Sequence, residues 1–217
     1  MNIDDTICAV CTGVGGAVSI IRISGPESIA VAHKVWSGKT YPGRENARKM
    51  ILGKVIDPDN HETGDTALSV CMPEPHSYTG DDVVEFHCHG GALAAKRALQ
   101  SVCKAGARHA EPGEFTFRAF VNGKMDLTQA EAVCDIITAH SDMALHLAER
   151  QIDGLLGQRV REIKDQLVNM LAEIVSRLDF TEEDLDWVPA GELYQITVSR
   201  NTRSLDKIQT RNGFFIW

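Results

Sequence analysis

The stretch SYTGDDVVEFHCHGG, from Ser77 to Gly91, decides how the first half of this chain folds. A loop with a glycine turn leads into a short strand, which stops at Gly90-Gly91 before an alanine-rich helix. Side chains alternate across a strand, so Glu85, His87 and His89 share one face while the residues between them take the other. One carboxylate and two imidazoles therefore point the same way at the end of a strand.

Two interpretations of this strand are open. Strand ends that lead into helices commonly bind ligands in sheet proteins. The alternative is a half-exposed edge strand with polar residues on its wet face. His87-Cys88-His89 contains residue types that bind metals, but the strand splits them between two faces, and a tetrahedral site would need ligands from elsewhere. We therefore expect no metal site.

Periodicity along the chain predicts an α+β protein in two parts. In the first part, strands predicted over 5–12, 18–24, 50–56 and 67–72 mix with helices, among them one over 92–104. After the capping box Thr128-Gln-Ala-Glu131, apolar residues recur at spacings of three and four as far as Leu178. We assign residues 1–121 to a mixed sheet-and-helix domain and residues 122–217 to a helical, bundle-like region.

Several helices carry finer expectations. Ser24-Gly-Pro-Glu27 predicts a helix start, with Ile29, Ala32 and Trp36 on its buried face. Gly154 and Gly157 are expected to separate two helices, and residues 192–208 to form one more. Three aromatic residues are expected to anchor the helix after the turn at 111–113 to the core: Phe115, Phe117 and Phe120.

Composition narrows the class of protein. The 217 residues are 43% hydrophobic and 24% charged, which is ordinary for a globular protein. No apolar run approaches the roughly 18–20 residues of a membrane span, and the N-terminus is acidic where a signal peptide is basic. We expect a cytoplasmic protein with no membrane contact. The net charge of −8 argues against a broad nucleic-acid surface, but it leaves room for a local RNA contact.

Three short motifs are weak. Cys8-Ala-Val-Cys11 matches C-x-x-C, but its two thiols would point to opposite faces of a strand, and the six cysteines indicate reduced thiols. Gly38-Lys39-Thr40 resembles the end of a P-loop, yet His33 stands where the first glycine should be, so we expect no nucleotide-hydrolysing site. The glycines at 13–16 form a loop that needs no ligand.

Two basic residues are better candidates for binding. Arg22 interrupts the apolar strand over 18–24 and faces either solvent or a site. Lys124, in the turn Asn122-Gly-Lys124, lies where the two predicted parts meet. A lysine in a turn is usually solvated, but beside an acidic strand it is a candidate ligand contact.

Motifs in order along residues 3–186 resemble one family, the tRNA modification GTPases known as MnmE or TrmE. An acidic Asp179-Phe180 segment is similar to the family's marker at the end of its first helical block. The other matching pieces are Asp5-Thr-Ile-Cys-Ala9, Ser19-Ile-Ile-Arg-Ile-Ser-Gly25, the stretch Ser77–Glu85, His87-Cys-His-Gly-Gly91, Pro112-Gly-Glu-Phe115, Arg118-Ala-Phe120, Asn122-Gly-Lys-Met-Asp-Leu127 and Gln129-Ala-Glu-Ala132.

The resemblance implies a fold similar to tetrahydrofolate-binding domains, with 5-formyl-tetrahydrofolate bound through Arg22, Glu85 and Lys124. It implies no catalytic residue in this part. It also implies a homodimer through the N-terminal domain, a flavin-dependent partner of the MnmG (GidA) type, and tRNA as the substrate of the complex, which is modified at C5 of the wobble uridine.

The chain departs from the family pattern in two places. The family inserts a GTP-binding domain, which holds GTP, Mg and K, roughly where this sequence ends, and nothing in 212–217 matches the family's C-terminal Cys-x-Gly-Lys. We expect a truncated member that does not hydrolyse GTP. Two alternatives are a stand-alone folate-dependent aminomethyl- or formyl-transferase and a structural dimer module without a ligand.

Overall fold

The computed structural model describes residues 3–13, 15–59 and 64–179, with side chains up to residue 176. The chain divides into two compact units, Met1–Cys134 and Asp135–Trp217. The predicted α+β class, with a sheet domain followed by a helical region, is confirmed. The boundary predicted after residue 121 stays a prediction. The helix predicted over 192–208, the acidic segment from residue 180 and the C-terminal residues 212–217 lie outside the described residues.

Seven strands among the described residues of the first unit form one sheet in the order β3-β4-β5-β6-β2-β1-β7. Neighbours pair antiparallel, except that β7 is parallel to β1. The strand predicted over 18–24 has those bounds, the strand predicted to stop at Gly90 ends at His89, and the other three differ by at most two residues at either end. The strands are β1 (Ile7–Val10), β2 (Val18–Ser24), β3 (Trp36–Ser37), β4 (Ile51–Val55), β5 (Thr66–Met72), β6 (Val83–His89) and β7 (Arg108–His109).

The hydrophobic core lies between one face of this sheet and two helices, α1 (Ser28–Lys34) and α2 (Ala92–Lys104). Phe86 and Cys88 are buried in it, as the alternation along β6 predicts, and α2 has its predicted bounds. Trp36 is buried too, but the prediction that it belongs to α1 is wrong. The helix ends at Lys34, and Trp36 lies in β3 with its ring stacked on Phe86, the centroids 5.5 Å apart.

The opposite face of the sheet is covered in part by α3 (Glu114–Val121), whose orientation differs from the prediction. Phe117 and Phe120 are 40% and 37% exposed, so the expectation that both anchor α3 to the core is wrong. The buried side chains of α3 are Glu114, Arg118 and Ala119. The spacing of residues along α3 would allow either face of the helix to be buried. The polar face is buried because Glu114 and Arg118 form ion pairs with Asp5 and Arg108, which are distant in sequence or lie before the helix.

Three helices joined by short turns account for most of the described residues beyond α3. They are α4 (Leu127–Thr138), α5 (Asp142–Ile152) and α6 (Leu155–Asp179). Ser141 caps α5, since its hydroxyl accepts a hydrogen bond from the amide of Ala144. The break between α5 and α6 falls at Gly154, whose φ of +76° suits glycine, whereas Gly157 lies inside α6. None of the described helices has the length and hydropathy needed to cross a membrane.

Candidate functional site

An ion pair joins the two central strands on the face of the sheet opposite the core. The register of β2 and β6 places Arg22 directly across from Glu85. Both lie on the face opposite the core, because the residues on either side of Arg22, Ile21 and Ile23, are buried in the core. Arg22 Nε lies 2.8 Å from Glu85 Oε1, and the two side chains are 24% and 11% exposed. Arg22 is therefore neither fully solvated nor buried, and it meets a carboxylate from a segment 63 residues away.

Two aromatic rings lie against the guanidinium of this pair. Tyr78 precedes β6, and Phe115 belongs to the first turn of α3; their ring centroids are 5.3 and 5.5 Å from Arg22 Cζ. The Tyr78 hydroxyl lies 2.9 Å from Thr116 Oγ1, which ties the loop to the helix. An arginine suits such contacts, because its planar guanidinium is weakly hydrated and is attracted by the face of a ring.

The two histidines of β6 serve different carboxylates. His87 Nε2 lies 3.3 Å from Glu85 Oε2, next to the ion pair, and His87 is a quarter exposed. His89 is more exposed and its Nδ1 lies 2.6 Å from Asp65 Oδ1. Within the part of the chain that the structure describes, no three His, Cys, Asp or Glu side chains cluster as a metal site requires.

Lys124 is attached to the loop that carries Tyr78. Its ammonium donates a hydrogen bond to the carbonyl oxygen of Pro75 (2.9 Å), and the neighbouring Asn122 amide donates to the carbonyl of Thr79 (2.8 Å). Gly80 permits this approach, since a Cβ there would lie 2.9 Å from Asn122 Cβ and its φ is +89°. The structure thus brings Arg22 and Glu85 into direct contact, while the contacts it gives Lys124 are with the adjoining loop.

A network of four charges holds α3 in place. We call Asp5, Arg108, Glu114 and Arg118 the α3 charge network. Arg108 binds Asp5 at 2.7 Å and Glu114 at 2.6 Å. Arg118, which is 1% exposed, binds Asp5 at 2.5 Å and Glu114 at 3.2 Å. The network fixes the start of α3 against β1 and β7, and so it positions Phe115 over Arg22.

The pKa values of the two carboxyls reflect these bonds. Hydrogen bonds from Arg108 hold the pKa of Asp5 below its ordinary value, although burial opposes them. Burial would raise the pKa of Glu114, but hydrogen bonds from Arg108, the Glu111 amide and Arg118 outweigh it and lower the pKa. Both carboxyls are therefore ionised at neutral pH.

The cysteines are free thiols. Cys8 is buried and Cys11 is exposed after the end of β1, so the C-x-x-C residues are separated, and Cys8 Sγ instead lies 3.5 Å from Cys103 Sγ. Burial raises the pKa of Cys71 to about 11 and that of Cys88 to about 12. Such thiols stay protonated and unreactive at neutral pH.

Sequence reasoning missed the roles of Tyr78 and Phe115 as a frame around Arg22. Both residues belong to conspicuous motifs, but the sequence pattern favours Phe115 as a core anchor and suggests no role for Tyr78. The contact between them depends on α3 and the loop before β6 meeting in space. An aromatic residue next to a proline-glycine turn was the only local signal.

Chemically, the arrangement is suited to binding. A carboxylate that is 11% exposed and lies beside a guanidinium can accept hydrogen bonds from a planar ligand edge with two donors. The rings of Tyr78 and Phe115 restrict where the guanidinium can move. A ligand with a donor-rich planar end and an anionic end would match these groups.

Comparison with known proteins identifies the two parts of the chain. Residues 6–124 match the family described as the GTP-binding protein TrmE N-terminus, and residues 127–211 match the MnmE helical domain. The first match alone spans more than half of the 217 residues.

Curated relatives named tRNA modification GTPase MnmE are similar over most of this chain. The protein of Moorella thermoacetica is 47% identical over 83% of this chain and 40% of its own length. The protein of Geobacter sulfurreducens is 45% identical over 88% of this chain and 42% of its own length. The protein of Thermus thermophilus is 42% identical over 86% of this chain and 43% of its own length. The chain thus spans about two-fifths of the length of the relatives it matches, and it belongs to the MnmE (TrmE) family of tRNA modification GTPases through its N-terminal and helical domains.

Proposed function

We propose that this chain supplies the folate-binding and dimerisation part of a protein that modifies the wobble uridine of tRNA at C5. The observation that carries the proposal is the Arg22–Glu85 pair under Tyr78 and Phe115, on the sheet face opposite the core. Membership of the MnmE family and the names of the relatives support the tRNA substrate.

The donor set fits 5-formyl-tetrahydrofolate. Glu85 would accept paired hydrogen bonds from the aminopyrimidine edge of the pterin, since its carboxylate remains partly open to solvent. Arg22 and Lys124 would bind carbonyl or carboxylate oxygens of the ligand. The folate supplies a one-carbon unit when bound, and the chain's own residues orient it and neutralise its charge.

The remaining roles belong to the larger assembly. We propose a homodimer through the N-terminal domain, working with a flavin-dependent protein of the MnmG type in the cytoplasm. GTP, Mg²⁺ and K⁺ would be held by the family's GTP-binding domain, because these 217 residues contain no P-loop sequence. This segment by itself is therefore expected not to hydrolyse GTP.

Calorimetry with 5-formyl-tetrahydrofolate tests the site. The wild-type chain should bind, and Arg22→Ala and Glu85→Ala should each lose most of the affinity, whereas His89→Gln on the same strand should bind like the wild type. Equal binding by all variants would refute the residue assignment. A silent wild type would favour the structural dimer module, and turnover of a small amine with folate would favour the stand-alone transferase.

Sedimentation at several protein concentrations tests the dimer. A dimer whose dissociation follows mass action is expected. A strictly monomeric chain at all concentrations would contradict the proposed dimerisation.

A further inference from the structure

A surface feature lies at the β3 edge of the sheet, where β5 separates it from the strand that carries Glu85. It is an open groove of about 1220 Å³. We call it the edge groove. Its basic, aromatic and exposed apolar lining residues come from three segments: His33 and Lys34 at the end of α1, Lys39 and Tyr41 after β3, and Leu52 and Lys54 in β4.

The edge groove is basic although the chain is acidic. Lys34, Lys39 and Lys54 line it, in a chain of net charge −8. Lys54 lies on the sheet face that carries Glu85, and Trp36 lies on the core face. Among the lining residues that the structure describes there is no Asp or Glu. Like charges that share a groove raise its potential, and an anionic ligand would gain by neutralising them.

The floor of the edge groove is rigid. The Trp36 ring stacks in parallel on Phe86, and Gly53 lies so close that a Cβ there would come within 2.3 Å of the Trp36 ring. Trp36 Nε1 donates to the carbonyl oxygen of Thr40 at 2.8 Å, which fixes the turn that carries Lys39. The Gly38-Lys39-Thr40 sequence is therefore no P-loop; it presents its lysine to a preformed groove.

The exposed apolar groups of the edge groove favour a ligand with flat bases. Tyr41 is 44% exposed, and its ring meets His33 edge-on, with centroids 5.3 Å apart and planes at 64°. Leu52, which lines the groove from the same sheet face as Lys54, is 67% exposed. Nucleic-acid bases stack on such aromatic rings while lysines bind the backbone. An acidic peptide would satisfy the lysines but would leave Tyr41 without a partner of that kind.

We propose that the edge groove binds single-stranded RNA, with phosphates on Lys39 and Lys54 and a base on Tyr41. Lys34 adds charge from a fixed position, because its ammonium donates to the carbonyl of Ala105 at 3.0 Å. The choice of RNA rests on the proposed function, in which tRNA is the substrate; the groove itself uses none of the folate-site residues. A local basic groove of this kind is compatible with the acidic overall charge.

The test measures fluorescence anisotropy of a labelled single-stranded RNA of about ten nucleotides, a length typical of single-strand binding sites. The double variant Lys39→Glu with Lys54→Glu should bind at least tenfold more weakly. Its log–log salt dependence should become shallower by about 0.7 for each phosphate that the variant no longer neutralises. The matched control is Lys96→Glu with Arg97→Glu, two exposed positions on α2 that give the same change of charge, and it should bind within about threefold of the wild type.

Tyr41→Ala tests the stacking interaction. It should weaken RNA binding about fivefold or more, as removal of a stacking ring does, with little change in salt dependence. Three results would overturn the proposal: no RNA binding by the wild type, equal weakening in groove and control variants, or displacement of the RNA by an oligoglutamate peptide at equal or lower concentration.

Folate calorimetry on the same proteins separates the two proposals. Unchanged folate binding by the groove variants shows that they are folded, and the absence of RNA binding by the wild type would then refute the groove alone. RNA binding without folate binding would refute the folate site alone.

Discussion

The first unit contains two sets of paired charges that differ in how completely they are satisfied. In the α3 charge network, each carboxylate is bound by two arginines; Glu114 and Arg118 are 0% and 1% exposed, whereas Asp5 and Arg108 at its outer end are 28% and 39% exposed. In the other set, Glu85 has one arginine and a histidine at 3.3 Å, and Arg22 lies against two rings and is 24% exposed.

The difference separates a structural role from a binding role. Charges that have two opposite partners each, with the central pair Glu114 and Arg118 buried, stabilise one arrangement of the chain and have little capacity for a ligand. A pair in which the carboxylate has only one arginine can exchange water for ligand atoms. The four experiments below test this contrast between the α3 charge network and the Arg22–Glu85 pair.

Glu114→Gln should have the largest effect. It leaves two arginines without their shared buried counter-charge, and loss of one partner from a buried ion pair costs about 3–5 kcal/mol. Urea unfolding should show a loss of that order, with Glu111→Gln, an exposed neighbour, as the control. A loss no greater than that of the control would mean that the network is dispensable.

Acid should reproduce part of this loss. The pKa values of Asp5 and Glu114 are lower in the folded chain than in the unfolded one, so their contribution is complete above the unfolded values of about 4 and disappears as the pH falls through the folded values. Unfolding free energy should therefore decrease as the pH falls below about 4, and it should decrease less steeply in Glu114→Gln.

Asp57→Asn is the control for the acid experiment. Hydrogen bonding to Lys104 also lowers the pKa of Asp57, but this pair lies outside the α3 charge network. The variant should keep most of the wild-type pH dependence. An equal flattening in both variants would show that the pH dependence does not come from the network.

Glu85→Gln should affect binding more than stability. Affinity for 5-formyl-tetrahydrofolate should fall about tenfold or more, because a charged hydrogen bond contributes about 1.5–3 kcal/mol. Water can reach Arg22, so unfolding free energy should change by about 1 kcal/mol or less. If stability fell as far as in Glu114→Gln while affinity held, the distinction between the two sets would be wrong.

Phe115→Leu should have the smallest effect, about a threefold loss of folate affinity, since a cation–π contact at a partly exposed site contributes about 0.5–1 kcal/mol. Phe117→Leu, two positions further along α3 and 40% exposed, provides the matched control and should bind normally. Calorimetry of both variants measures the difference. An equal loss in the two would assign the effect to packing of α3 in general.

Local pattern was sufficient for much of the sheet. The sequence pattern predicted the bounds of β2 and the end of β6, and the alternation in β6 predicted which residues share a face with Glu85, because a period of two depends only on neighbouring residues. It could not predict that Arg22 lies opposite Glu85, since that register joins segments far apart in sequence. The family resemblance grouped these two residues with Lys124 as folate contacts, and that grouping stays a prediction.

The failures have one physical cause. Phe117 and Phe120 looked like core residues, because sequence spacing does not tell which face of a helix is buried. The polar face of α3 is buried only because Asp5, more than a hundred residues earlier, supplies a partner for Arg118. The edge groove was missed for the same reason, since its lysines come from three separate segments.

The pairing of β2 with β6 also bears on how fast the site can form. Its cross-strand contacts join residues 59 to 71 positions apart, and the three strands β3, β4 and β5 lie between them in sequence. Closing so long a loop costs entropy before any contact repays it, which slows folding. During synthesis, Arg22 therefore cannot pair with Glu85 until β6 has been translated. Folate added during refolding should bind only late species, so that acquisition of ligand binding would time the completion of the sheet.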